Sequence, residues 1–65
     1  MGADEIIYML KKKGYTQMTI AKMIGVSHVA VHQIIYGNSK SRRIQQKIAE
    51  ILGQEIEDIW PLNAA

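Results

Sequence analysis

Apolar residues along this chain recur every three or four positions, and strict alternation is nowhere sustained. That pattern predicts helices and gives strands little support. A first helix is expected from about Ala3 to Lys13, with Ile6, Met9 and Leu10 on one stripe. Asp4 and Glu5 fall in its first turn and Lys11, Lys12 and Lys13 in its last, so both ends complement the helix dipole. Gly14 follows, where a left-handed cap would end the helix. Thr16 is the expected N-cap of a second helix to about Ile24, with Ile20, Ala21 and Ile24 inward and Gly25 stopping it. Ser27 is the expected N-cap of a third helix to about Tyr36, with Val31 and Ile34 in the core and Ala30 at its margin. Gly37, Asn38 and Ser39 are turn chemistry. Ser41 opens a fourth helix whose Ile44, Ile48, Ile51 and Leu52 follow i, i+4, i+7, i+8, and Gly53 ends it. Glu55 to Ile59 make a last short turn, which Pro61 prevents from continuing, and Trp60 is expected as a lid on the core. The expected fold is all-α: a single domain over residues 1–65, built as a compact bundle of four to five short helices.

Composition narrows the function. There is no cysteine, so disulfides and thiolate zinc sites are unavailable. No apolar run approaches the roughly 20 residues that span a bilayer, and the start MGADEII lacks a basic-then-apolar signal pattern. A cytoplasmic, nucleoid-associated location is the expectation. The net charge of +2 hides a segregation: all eight Lys and Arg lie between Lys11 and Lys47, a span without Asp or Glu. The six acids, Asp4, Glu5, Glu50, Glu55, Glu57 and Asp58, all lie outside it. Such a field attracts polyanions. Neither a nucleophile elbow nor a phosphate loop is present, and no pair of carboxylates suggests a pocket, so the chain is read as non-enzymatic, with no cofactor.

The spacing within about residues 17–36 carries the most information. Ala21 supplies the small residue where two crossing helices approach, and Gly25 supplies a turn residue tolerant of positive φ. Val26, Val31 and Ile34 then lock the second helix of the pair against the first. A three-residue turn, Gly25 to Ser27, joins them. This is the layout of a helix-turn-helix, whose second helix lies in the DNA major groove.

The stretch YTQMTIAKMIGVSHVAVHQIIYG, residues 15–37, resembles the helix-turn-helix of the lambda-repressor-like (Cro-type) family in its Thr-Gln, Gly-Val-Ser and closing Gly. The tail RIQQKIAEILGQEIEDIWP, residues 43–61, is similar to the end of the Ner-type phage transcriptional regulators. Together the likenesses cover about residues 4–62. They imply a lambda-repressor-like DNA-binding domain in a phage-derived repressor that binds an operator. One short helix reads few base pairs, so an inverted repeat bound by two copies is expected. One departure stands out: Met18 and Thr19 occupy the two places after Gln17 where acids are common in such families.

What the resemblance implies can be placed residue by residue. The polar side of the third helix offers Ser27, His28, Val29, His32 and Gln33. Gln33 suits a bidentate contact with adenine, Val29 a thymine methyl, and the two histidines guanine or phosphate. Thr16 and Gln17, at the start of the second helix, suit a phosphate. Asn38, Lys40, Arg42 and Arg43 are candidates for phosphates on the far side. A metal at His28 and His32, four residues apart, lacks a third ligand and a glutamate base, and none is expected. Lys11 to Lys13 read first as dipole partners and solvated charges. The competing function is a protein-interaction adaptor, an antitoxin-like partner of another protein, with Met18, Trp60 and Leu62 as its exposed interface.

Overall fold

The computed structural model describes residues 1–61 and contains five helices in the order α1 Ala3–Lys12, α2 Gln17–Ile24, α3 His28–Ile35, α4 Arg42–Leu52 and α5 Ile56–Ile59. Each of the three hydroxyl caps forms as its sequence position demands. Thr16 Oγ1 accepts from the Thr19 backbone N–H at 3.1 Å, Ser27 Oγ from that of Ala30 at 3.2 Å, and Ser41 Oγ from that of Ile44 at 3.5 Å. They satisfy N–H groups that a helix start otherwise leaves without partners. At the other end of α2, Gly25 takes φ 84° and ψ 37°, and its N–H returns to the Ala21 carbonyl at 2.8 Å. A side chain at that φ is strained, so glycine permits the stop.

The helices close around one core. Ile6 and Leu10 of α1, Ile20 and Ala21 of α2, and Val31, Ile34 and Ile35 of α3 meet Ile44, Ile48, Ala49 and Leu52 of α4. Ile56, Ile59 and Trp60 seal the end. Two expectations shift. Ile35 is fully part of the core, beside the Val31 and Ile34 that the sequence places there with Ala30 at the margin, and Ile51 is half-buried while Ala49 takes the interior place. The Met1 ammonium donates to the Ile59 carbonyl at 3.0 Å, fastening the chain's start beside α5.

Trp60 is 6% exposed and belongs to the core, which is the lid expected of it. The same burial corrects its place in the adaptor interface: a ring buried in the core is not available to a partner. Leu62 lies outside the described residues. Met18 is 50% exposed.

Candidate nucleic-acid interface

Between α2 and α3 the chain turns through 115°. Gly25 begins the turn, half-buried Val26 anchors it, and Ser27 caps the helix that follows. Since Val31, Ile34 and Ile35 face inward, the 100° step per residue sends Val29, His32, Gln33 and Tyr36 to the other side. Those four positions have spacing i, i+3, i+4, i+7, so they form a second stripe, polar and aromatic, opposite the buried one. Val29 is 53% and Tyr36 45% exposed; His32 is exposed and Gln33 half-buried. Exposed apolar groups at two turns' separation, with an amide and an imidazole between them, can meet base edges and methyl groups.

Apart from the cap Ser27, the other residues singled out in the sequence fall into two groups, the first of which shares His32 with the stripe. Thr16, Gln17, His28 and His32 gather, with Lys11, around an open depression of about 380 Å³ where α1, the start of α2 and the flank of α3 meet. Asn38, Lys40, Arg42 and Arg43 follow α3, all exposed. The Asn38 N–H donates to the Gln33 carbonyl at 2.9 Å, so the loop leaves directly from the end of the outward stripe. Thr16 and Ser27 use their oxygens as helix caps, and the Thr16 and Thr19 hydroxyls are 2.9 Å apart. Arg43 is also tied internally: its Nη2 donates to the Ile24 carbonyl at the end of α2, at 2.6 Å.

Two side-chain relations were not visible in the sequence. His32 Nδ1 lies 3.2 Å from Gln17 Oε1, linking the outward face of α3 to the first residue of α2. The His32 ring also stacks on Tyr36, with centroids 4.4 Å apart and planes 30° from parallel. Tyr36 was read only as the end of a helix. Its place seven residues after Val29 and four after His32 was the signal that it shares their face.

The electrostatics follow the same division. The first turns of α2, α3 and α4 hold no acidic residue, whereas α1 has Asp4 and Glu5 and α5 has Glu57 and Asp58. Three positive helix ends in the cationic segment are thus left without carboxylates. Among the described residues, no group of three or more His, Cys, Asp or Glu could hold a metal ion. No single helix is long and apolar enough to cross a membrane.

Two short helices bent sharply at a glycine, the second with an outward polar face, define a helix-turn-helix DNA-binding domain. The chain belongs to the winged helix-turn-helix DNA-binding family, which matches residues 1–62. Among the described residues there is no strand, so the wing of that description has no counterpart here. No curated protein and no solved structure matched the chain.

Proposed function

We propose that this protein is a sequence-specific, double-stranded DNA-binding transcriptional repressor, phage-derived and closest in kind to the lambda-repressor-like, Ner-type regulators. The observation that carries the reading is the outward stripe Val29, His32, Gln33, Tyr36, held at 115° to α2 within a segment that has eight cations and no acid. In this reading α3 enters the major groove. Gln33 and Val29 address base edges, with His28 beside them. The depression at the start of α2 takes a phosphate, using free N–H groups at the helix end together with Gln17 and Lys11. Lys40 and Arg42 hold the backbone beyond α3.

One eight-residue helix reads few base pairs, so useful affinity calls for two copies on an inverted repeat, about one helical turn of 34–36 Å apart. An occupied operator then excludes RNA polymerase. The protein acts in the cytoplasm, on the nucleoid. A protein-adaptor role keeps exposed Met18 but loses buried Trp60 from its expected contacts, and has less support.

Titrating salt against binding to a random duplex tests the reading. Affinity should fall linearly in log salt with a slope near −0.9 per phosphate neutralised. Selection from a random duplex pool should then return a two-fold symmetric site. Absent or salt-independent binding would refute DNA contact, and an asymmetric single site would refute the paired mode.

A further inference from the structure

His32 is held from two directions. Gln17 Oε1, from the preceding helix, meets its Nδ1 at 3.2 Å, and Tyr36 covers one ring face at 4.4 Å. An amide oxygen accepts hydrogen bonds and does not donate them, so with Gln17 Oε1 facing the ring this contact forms in the Nδ1–H tautomer of His32. The hydrogen bond made by one ring nitrogen decides the character of the other. A neutral His32 therefore carries a lone pair on Nε2. Its edge is engaged by α2 and its face by Tyr36, so Nε2 is the polar atom left for anything outside the protein.

We propose that Gln17 and Tyr36 are positioning residues that fix the tautomer and plane of His32, making its Nε2 a hydrogen-bond acceptor that selects a base carrying an amino group. In the major groove those groups are adenine N6 and cytosine N4. Guanine N7 and O6 and thymine O4 are acceptors and are disfavoured opposite the same atom. The inference rests on the DNA-binding reading above and makes it specific: a histidine on such a helix would ordinarily serve as a donor to guanine or phosphate, and Gln17 reverses its sense. The rest of the stripe supports this assignment. Val29 and Gln33 flank His32 on the exposed face, and Tyr36 is exposed although tyrosine is a large, half-apolar side chain. Stacking on His32 gives that exposed ring a structural task.

Two measurements decide it. Nitrogen-15 NMR of the imidazole rings in the free protein reads the tautomer directly. Wild type should show His32 protonated at Nδ1, and Gln17→Ala should move it to the Nε2–H form; an Nε2–H ring in wild type, or no change in the variant, overturns the proposal. Selection from a random duplex pool supplies the second. Wild type and Tyr36→Phe should share one position enriched in adenine or cytosine on the contacted strand. In His32→Ala, Gln17→Ala and Tyr36→Ala, discrimination at that position should fall about fivefold, the loss of one neutral hydrogen bond, with other positions retained. Gln17 and His32 also line the proposed phosphate site, so Gln17→Ala and His32→Ala lower affinity on all sequences and only the positional preference is diagnostic for them. Preference unmoved in His32→Ala overturns this inference alone. A wild-type protein that enriches no duplex overturns it together with the DNA-binding reading.

Discussion

Arg43 reaches from the first turn of α4 to the last residue of α2, where its Nη2 donates to the Ile24 carbonyl at 2.6 Å. A helix leaves its last four carbonyls without internal partners, and α2 has Lys22 as the only cation of its own in its last turn. The guanidinium therefore closes the C-terminal end of α2, on the side of the turn that aims α3. Among the described residues its neighbour Arg42 makes no such contact, and it stands exposed at the positive end of α4.

That contrast separates two roles for adjacent arginines. Arg43→Ala should lower stability by about 0.5–1 kcal/mol, a value reduced for an exposed contact. Arg42→Glu should leave stability unchanged or raise it by about 0.3–1 kcal/mol, because a carboxylate suits a helix start. The same change should weaken DNA binding on every sequence and lessen the salt slope by at least about one. Urea midpoints and salt titrations of the two variants test the assignment. A destabilised Arg42→Glu that still binds normally would place Arg42 in the fold and away from DNA.

Gly25 offers a test of the turn. Nothing lies within 4 Å of a Cβ built there, so a substitution meets conformational strain alone. Gly25→Ala should cost about 1–2 kcal/mol at φ 84°. Gly25→Val should cost more, since a β-branched residue resists positive φ most strongly. In a domain of this size each kcal/mol lowers the melting temperature by about 4–8 °C. Calorimetry giving equal melting temperatures for Gly, Ala and Val would remove the left-handed turn.

Base readout by α3 predicts a loss confined to the specific site. Gln33→Ala and His28→Ala should each lower affinity for the selected operator by about 1–3 kcal/mol and change binding to random duplex little. Fluorescence anisotropy on both duplexes makes the comparison. Equal losses on the two would assign these side chains to the backbone.

Gln45 is 5% exposed, and among the described residues its Nε2 has no hydrogen-bond partner. An unsatisfied buried amide costs about 1–3 kcal/mol relative to an apolar group of similar shape. Gln45→Met should therefore raise stability by about 1 kcal/mol, read as a higher urea midpoint at an unchanged m-value. A lower midpoint would show that the amide is bonded in solution.

The elements legible in the sequence were those decided by near neighbours. Thr16, Ser27 and Ser41 each serve a backbone N–H three residues on, and Gly25 needs only its own dihedrals. The buried stripe of α4 was recognisable at Ile44, Ile48 and Leu52, while Gln45 was hidden among them by its polarity. Ile35 was missed because the inward arc of α3 is wider than Val31 and Ile34 alone define. The relations between helices were illegible for a different reason. Gln17 and His32 are fifteen residues apart and Ile24 and Arg43 nineteen; no local periodicity couples them, and they meet only once the turn has set the angle of α3. For the candidate site, sequence supplied the outward residues of α3, and packing supplied how one of them is held.

The left-handed turn at Gly25 has a synthetic consequence. An L residue is strained there, but its mirror image, a D residue, is at home at φ 84°. At 65 residues the chain is within reach of chemical ligation, so D-alanine can be installed at position 25. Such a chain keeps the bend while restricting the denatured ensemble, and glycine-to-alanine changes at compatible dihedrals stabilise by about 0.4–1 kcal/mol. The hinge that evolution left to the most permissive amino acid becomes a place where handedness alone can stiffen the molecule.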